Sequence, residues 1–154
     1  LIYKEGTVLE STIQAITRLY NIFNCDRLDI HFCSKNIDTS FVKNLLSNPI
    51  FQTWYKIRLD AVEFNSEVVN LFMDMADCTR CFQVFKSKMP LDFSHENAFK
   101  FGLNYYNDSR WVKIEDLFKI RNIPAVILDR VNFNSNDIRK YISWWMKSEV
   151  YLME

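Results

Sequence analysis

The sequence predicts an α/β fold built from leucine-rich-repeat-like β-α repeats, and three observations support this prediction. Short segments with strand periodicity precede segments with helix periodicity, two of these units share an internal repeat, and the strand centres recur at similar spacings. A single β-α unit cannot bury its own apolar face, so neighbouring units are expected to stack. The expected result is a curved, mainly parallel sheet with the helices on its outer face.

The first half of the chain has clear helix and strand patterns. Apolar residues from Val8 to Phe23 recur at spacings of three and four, which indicates an amphipathic helix. Alternation of apolar and polar residues over Asp26–Phe32 indicates a strand. The pattern continues with a helix, a strand and a helix, at Asp38–Ser47, Tyr55–Phe64 and Asn65–Ala76.

The second half is less regular. No helix pattern is present between Lys86 and Asn97, so this connection is expected to be a loop, a single turn or an antiparallel link. The sequence then predicts a strand, a short helix, a strand and a longer helix, at Ala98–Tyr106, Trp111–Ile120, Pro124–Phe133 and Asn134–Lys147. The buried stripe of the last helix is expected to consist of Ile138, Tyr141, Ile142 and Trp145.

Two units share the repeat L-D-x-V-x-F-N-S. Leu59–Ser66 and Leu128–Ser135 match it at an offset of 69 residues. The alternate Leu, Val and Phe positions point to one face of a strand, while Asn-Ser supplies side-chain oxygens that cap the following helix. Strand centres along the chain are separated by 31, 25, 19, 25 and 24 residues, at Leu28, Leu59, Val84, Leu103, Leu128 and Leu152.

Composition indicates one folded domain over residues 1–154. A chain of this length buries roughly 70% of its unfolded surface, which is enough for a single core. Lysine plus arginine equals aspartate plus glutamate at 19 each, so no basic field is present to attract nucleic acid. Aromatic residues make up 16% of the chain, an excess typical of a thick core or of an aromatic contact surface.

The sequence lacks signals for secretion and for membrane insertion. Leu1–Glu10 has no charged segment followed by an apolar run, and no stretch approaches the roughly 18 apolar residues of a membrane span. Reduced cysteines and a location in the cytoplasm, the nucleus or both are therefore expected. The chain starts at Leu1 rather than Met, which suggests a piece of a longer protein.

Four segments of the second half carry a family resemblance: Ser109–Ile120, Ala125–Leu128, Ser135–Ile138 and Trp144–Ser148. Together they resemble the second half of the nematode F-box-associated domain, type 2. The first half, at Asn24–Ile30 and Lys56–Leu59, is similar to that family but less distinctive. In the last helix the chain departs from the family pattern, since Arg139 replaces an Asn and Ser143 a Lys.

The resemblance implies a protein-protein interaction module. Members of the family are the substrate-recognition part of F-box proteins in cullin-RING (SCF-type) ubiquitin ligases, and an upstream F-box binds the ligase adaptor. No F-box is present in these 154 residues. The implied partners are an unidentified protein substrate and, through an F-box outside this chain, the adaptor. A repeat-like interaction domain unrelated to ubiquitin is the alternative within the same class.

Catalytic and metal-binding patterns are weak. The four cysteines could in principle hold zinc, but the spacing of Cys25 and Cys33 is unlike a close ligand pair, and only Cys78 and Cys81 form a CxxC. His31 and His95 are the only histidines, and no phosphate-binding or nucleophile motif occurs. We therefore expect no catalysis, cofactor or metal; a small hydrolase or redox enzyme using a cysteine is the alternative from another class.

Three aspartates recur beside strand-centre leucines and are candidate partner-binding residues: Asp29, Asp60 and Asp129. On the open side of the sheet they could form a row of carboxylates that binds a basic partner. They could instead form ion pairs with the neighbouring Arg27, Arg58 and Arg130 on a solvated surface. The residue pattern favours the ion pairs over the row of free carboxylates.

Four aromatic residues are further candidates for partner contact: Trp54, Tyr105, Tyr106 and Trp144. Trp54 and the two tyrosines lie next to or within predicted strands and could line the sheet face or the ends of the repeats. Trp144 is one helix position away from Trp145, so it is expected to be the more exposed of the two. Exposed aromatics frequently dominate binding energy, and the concave sheet face with the Lys86–Asn97 loop is the expected contact region.

Overall fold

The computed structural model describes residues 5–23, 27–33, 38–60 and 66–148, with the backbone only for residues 5–10. The five strands in chain order are β1 Leu28–Phe32, β2 Trp54–Asp60, β3 Cys81–Phe85, β4 Leu103–Tyr106 and β5 Ala125–Leu128. The helices are α1 Glu5–Phe23, α2 Thr39–Ser47, α3 Pro49–Gln52, α4 Ser66–Met73, α5 Ile114–Leu117 and α6 Ser135–Lys147.

The strands form one sheet in the order β1-β2-β3-β4-β5, and every neighbouring pair is parallel. The predicted α/β class and the mainly parallel sheet are therefore confirmed. The parallel pairing of β3 with β4 excludes the antiparallel link considered for Lys86–Asn97. That segment crosses back to β4 through turns and irregular backbone without an α-helix.

The core lies against one face of the sheet, because alternate strand residues point to it. Ile57 and Leu59 of β2 are fully buried there, as are Phe82 and Val84 of β3. The helices α2 and α4 pack on this face and contribute Val42, Leu45, Leu46, Val68, Val69, Phe72 and Met73. The irregular β3–β4 connection adds further apolar residues, Met89, Phe93, Ala98 and Phe101.

Side-chain caps fix the starts of three described helices, α2, α3 and α6. The Asn134 carboxamide oxygen accepts hydrogen bonds from the backbone N–H groups of Asn136 and Asp137, and the Asp137 carboxylate accepts one from Asn134 N–H. This reciprocal arrangement confirms the predicted capping role for Asn134 in the second copy of the repeat. The equivalent Asn65 lies outside the described residues. Asp38 caps α2 by accepting from Ser40 N–H.

Several predicted elements are longer than the observed ones. The strand predicted over Pro124–Phe133 ends at Leu128, and Arg130 has a φ of 50°, a left-handed conformation that takes the chain out of the sheet. The helix predicted over Trp111–Ile120 is the single turn α5. The predicted strand centre near Leu152 lies outside the described residues.

The segment predicted as the start of a strand at Ala98 is a turn that ends at Gly102. A Cβ atom added at Gly102 would lie 2.1 Å from the backbone carbonyl oxygen of Cys78. Glycine is therefore required there because the two backbone segments approach closely. Strand β4 begins only after this contact, at Leu103.

The predicted buried stripe of α6 is wrong in three of its four positions. Ile138, Ile142 and Trp145 are 41%, 48% and 48% exposed. The helix instead packs through Tyr141 and Trp144, whose rings lie 6.1 and 5.1 Å from the ring of Phe118. Because α6 is the last described element and packs mainly on α5, only one side of it is covered.

Candidate functional site

The sheet face opposite the core is the candidate site, and we refer to it as the open face. It presents the alternate strand residues Asp29, His31, Lys56, Arg58, Asp60, Gln83, Phe85, Leu103, Tyr105, Ala125 and Ile127. All of these are partly or well exposed, whereas Cys81, which pairs in register with Lys56 and Leu103 on the same face, is buried. The row directed to the opposite face forms the core. Parallel pairing in register places them in rows across the strands.

Two of the three predicted aspartates form ion pairs on the open face. The Asp29 carboxylate lies 2.5 Å from Lys56 Nζ on the neighbouring strand, and the Asp60 carboxylate lies 2.9 Å from an Arg58 guanidinium nitrogen. The predicted pairing of Asp60 with Arg58 is thus confirmed. The predicted pairing of Asp29 with Arg27 is wrong, because the Arg27 guanidinium lies 3.5 Å over the Tyr55 ring instead.

A continuous row of side chains crosses three strands at their carboxyl ends, and we call it the aromatic row: Arg58, Phe85, Tyr105 and Asp129. The Arg58 guanidinium lies 3.8 Å from the centre of the Phe85 ring, and Phe85 stacks on Tyr105 with 4.4 Å between ring centres. Tyr105 then donates its hydroxyl hydrogen to the Asp129 carboxylate at 2.7 Å. These contacts fix the orientation of each ring.

Asp129 differs from the other two aspartates because it makes no ion pair within the described part of the chain. Its carboxylate accepts hydrogen bonds from two neutral groups, the Tyr105 hydroxyl and the Asn107 amide. The hydrogen bond to the carboxylate raises the pKa of Tyr105, since ionising the phenol would bring two negative charges together. The Asp129 carboxylate therefore ends the aromatic row as a hydrogen-bond acceptor.

Trp54 and Tyr106 do not line the open face, and their proposed exposure was wrong. Trp54 is 1% exposed and its ring centre lies 6.0 Å from that of Phe101, inside the core. Tyr106 is fully buried and donates its hydroxyl hydrogen to the carbonyl oxygen of Ala98. Strand alternation explains the second case, because Tyr105 points to the open face and Tyr106 to the core.

Trp144 belongs to the helix layer rather than to the open face. It is half-buried against Phe118 and Tyr141, and the Arg121 guanidinium lies 4.6 Å from its ring centre. Its expected exposure relative to Trp145 is reversed, since Trp145 has the more exposed position. The contact of Trp144 with a partner stays a prediction. Trp144 lies on the side of α6 that is covered by Phe118.

Cysteine and histidine residues are spread over separate places. Cys33 and Cys78 are exposed free thiols, Cys81 is a buried one, and Cys25 lies outside the described residues. No group of three or more His, Cys, Asp or Glu side chains suited to a metal ion occurs in the described ranges. His95 accepts a hydrogen bond from Asn97 N–H at Nδ1 and lies 3.2 Å from the Asp74 carboxylate through Nε2, so both of its nitrogens are engaged.

Sequence reasoning missed an apolar groove between α5, β5 and α6. Its volume is about 480 Å³, and its lining consists of Leu117, Ile120, Ile123, Val126, Leu128, Val131, Phe133, Ile138 and Tyr141. The periodicity of α6 indicated that the helix has an apolar face. It did not indicate that part of this face would be left uncovered. Helix periodicity contains no signal for this, because the covered part of an apolar face depends on packing partners from other parts of the chain.

No protein-family model, curated protein or solved structure matches the chain. Among the described helices, none has the length and apolar character needed to cross a membrane. The fold and the geometry of the side chains are therefore the basis for a functional assignment.

Proposed function

We propose that this chain is a protein-recognition module that binds a target protein through its open face. The observation that carries the proposal is the aromatic row, in which Phe85 and Tyr105 are held side by side and flanked by Arg58 and Asp129. Aromatic and arginine side chains supply most of the binding energy in protein interfaces. Because neighbouring groups already fix the rings, little side-chain entropy is lost when a partner binds.

The strand order supports a leucine-rich-repeat-like arrangement. Consecutive strands lie side by side in chain order, so the sheet grows by one strand at a time, and a helix follows every described strand except β3. Repeat proteins of this type use the exposed surface of a curved sheet to bind proteins. We infer that the open face is concave and that the β3–β4 connection borders the bound target at the carboxyl ends of the strands.

We further propose that the chain is the substrate-recognition part of an F-box protein in a cullin-RING ubiquitin ligase. The support is the resemblance of residues 109–148 to the nematode F-box-associated domain, type 2, together with an α/β fold that offers a binding face. In this role the chain holds a protein substrate near a ligase that supplies the chemistry, and an F-box outside this chain binds the adaptor. The work of the domain would be selective binding rather than catalysis.

Affinity purification of the full-length protein from its own cells, with mass spectrometry of the co-purifying proteins, tests the ubiquitin assignment. Recovery of the ligase adaptor and cullin with the full-length protein, and their loss with residues 1–154 alone, is the expected result. If an intact protein with an upstream F-box-like segment recovers neither, the assignment is wrong. In that case the alternative function applies, in which the chain is a repeat-like interaction domain unrelated to ubiquitin and binds its partner through the same face.

A pair of substitutions tests the open face in the same purification. Phe85→Ala with Tyr105→Ala removes both rings of the aromatic row, and co-purification of the target should fall while the adaptor is still recovered. Leu19→Ala is the matched control, because Leu19 is an exposed apolar residue of α1 and its truncation should change neither partner. Unchanged target recovery with both rings removed, in a protein with wild-type circular dichroism, would place the binding site elsewhere.

A further inference from the structure

Asp129 lacks the cationic partner that the other two aspartates of the open face have. Asp29 and Asp60 each lie within ion-pair distance of a cation on the sheet. The donors to Asp129 are both neutral, the Tyr105 hydroxyl at 2.7 Å and the Asn107 amide at 3.4 Å. Within the described part of the chain, no Lys, Arg or His forms an ion pair with this carboxylate.

Both neutral donors bond the same oxygen of Asp129. That atom is Oδ2, so Oδ1 accepts no hydrogen bond from the described residues. The backbone of Asp129 is fixed on both sides, because its N–H donates to the Tyr106 carbonyl oxygen at 3.0 Å and its carbonyl oxygen accepts from the Ser109 N–H at 2.9 Å. The residue is only half-buried. The carboxylate is therefore held in place with one oxygen unused, and binding a donor there requires little ordering.

Two arginines close to this end of the sheet already have carboxylate partners. Arg58, at the other end of the aromatic row, pairs with Asp60. Arg110 donates to both carboxylate oxygens of Asp108, at 2.8 and 2.7 Å. A bidentate pair of this kind is among the stronger hydrogen-bonded contacts of an arginine. Neither arginine is therefore available to Asp129.

Two exposed cations follow β3 and β5, Lys86 and Arg130. Both have a left-handed backbone conformation, with φ of 48° and 50°, and neither forms an ion pair within the described residues. Arg130 thus leaves the carboxylate of its chain neighbour Asp129 uncompensated. Residues 149–154 contain two Glu and neither Lys nor Arg, so this segment cannot supply the missing cation.

The part of the open face beside Asp129 is largely apolar. Strands β4 and β5 present Leu103 opposite Ala125 and Tyr105 opposite Ile127. Ile127 is 45% exposed. A partner that covers these residues also removes water from Asp129, and a carboxylate that loses water without gaining a cation lowers affinity. This part of the face is therefore complementary to a basic side chain with apolar neighbours.

We propose that the target segment bound by the open face presents an arginine or lysine side chain to Asp129 Oδ1, with apolar residues beside it on β4 and β5. This inference rests on the proposed function and adds the chemical feature by which the face selects its target. The aliphatic part of the basic side chain covers Ile127 while its charged end reaches the carboxylate. An anionic partner such as nucleic acid is disfavoured, because its phosphates would meet Asp129.

Selection of a displayed library of random dodecapeptides on residues 1–154 tests the inference. The expected consensus has an Arg or Lys next to apolar residues. The affinity of a selected synthetic peptide should fall about tenfold with Asp129→Asn, which retains an oxygen to accept from Tyr105 and should keep the circular dichroism of the wild type. Glu115→Gln is the matched control, because it removes one negative charge from an exposed residue of α5. It should leave affinity unchanged.

Reversing the charge at position 129 tests whether this residue reads the charge of the target. Selection on Asp129→Lys should replace the basic residue of the consensus by Asp or Glu. Arg130→Gln should not weaken binding of the peptides selected on the wild type, because a basic side chain gains nothing from Arg130. Binding about tenfold weaker with Arg130→Gln would assign an acidic group to the target and overturn the inference.

The remaining outcomes separate this inference from the proposed function. Peptides that lose affinity with Phe85→Ala and Tyr105→Ala, but bind Asp129→Asn as tightly as the wild type, would retain the open face and overturn the role of Asp129. No enrichment, or peptides that the doubly substituted chain still binds, would count against the open face and this inference together. Concentration-dependent dimers that Asp129→Asn abolishes would assign a second copy as the occupant and overturn the inference.

Discussion

Tyr105 and Tyr106 are adjacent in the sequence but have opposite environments. Tyr105 stacks on Phe85 at the open face and donates to Asp129. Tyr106 is surrounded by the core, where its hydroxyl donates to the Ala98 carbonyl oxygen and its ring meets Trp111 edge-on. The period of two along a strand separates them. The sequence placed both in one strand without indicating which one faces the core.

Removing the Tyr106 hydroxyl should destabilise the fold more than removing that of Tyr105. Tyr106→Phe leaves the Ala98 carbonyl oxygen without a partner in the core, with an expected cost of about 1–3 kcal/mol in the free energy of unfolding. Tyr105→Phe removes a hydrogen bond that water can replace, so its cost should stay under about 1 kcal/mol. Urea denaturation measures both variants. Equal losses in the free energy of unfolding for the two variants would contradict the buried environment assigned to Tyr106 and the open-face environment assigned to Tyr105.

The stability of the domain should fall at alkaline pH because of Tyr106. Burial raises the pKa of Tyr106 far above its ordinary value. The folded state therefore holds the phenolic proton of Tyr106 more tightly than the unfolded state does. The resulting contribution to stability is complete below about pH 10 and is lost as the pH rises further. Urea midpoints measured between roughly pH 8.5 and 11 should fall more steeply for the wild type than for Tyr106→Phe. Equal slopes of urea midpoint against pH for the wild type and Tyr106→Phe would contradict the raised pKa of Tyr106.

At the scale of elements, α6 shows how tertiary contacts select one face of an amphipathic helix. Its apolar residues cover a broad arc, and periodicity alone favoured the part with Ile138, Ile142 and Trp145. The protein instead buries the adjacent part, because Phe118 after α5 offers a ring surface to Tyr141 and Trp144. The capping box at Asn134 fixes the residue at which α6 begins. It does not determine which side of the helix faces the rest of the domain. The observed orientation leaves the stripe beside β5 open.

The two adjacent tryptophans of α6 should respond differently to truncation. Trp144→Ala removes ring contacts with Phe118 and Tyr141, and the expected loss in the free energy of unfolding is about 1–3 kcal/mol. Trp145 has about half of its side chain exposed, so Trp145→Ala should change stability by no more than about 0.5 kcal/mol. Thermal or urea denaturation of the two variants provides the comparison. A larger loss for Trp145→Ala would indicate that the helix is rotated the other way.

At the scale of the whole molecule, the core is concentrated toward the middle of the sheet. Strands β2 and β3 contain fully buried residues on the core face, whereas the residues of β5 and α6 are all at least partly exposed. In a stack of units each unit is stabilised mainly by its neighbours, and within the described residues β5 and α6 have a neighbouring unit on one side only. The end of the stack that has β5 and α6 should therefore open more readily than the centre.

Native-state hydrogen exchange should reveal this gradient. Backbone amides of Ile57 in β2 and Phe82 in β3 should exchange only by opening of the whole domain, and those of β5 and α6 by local opening of lower free energy. NMR or mass spectrometry of exchange over time measures the protection of each element. Equal protection across all strands would contradict the gradient.

The sequence alone determined the features that depend on local periodicity and capping. Alternation located β1 and β2, helix spacing located α1, α2, α4 and α6, and the repeat L-D-x-V-x-F-N-S identified matching strand-helix units. It also placed Asp29, Asp60 and Tyr105 on strands from which they reach the open face. These features follow from interactions between residues close together in the chain, so one sequence contains the required information.

The tertiary structure decided which of the candidate residues share a surface. Trp54 and Tyr106 entered the core, while Arg58, Phe85, Tyr105 and Asp129 came into contact from three strands and the end of a fourth. The uncovered side of α6 also depended on what packs beside the helix. Local patterns specify that an apolar face exists, but its partner comes from a distant part of the chain. Only the assembled sheet and helices determine which faces become buried and which remain open for binding.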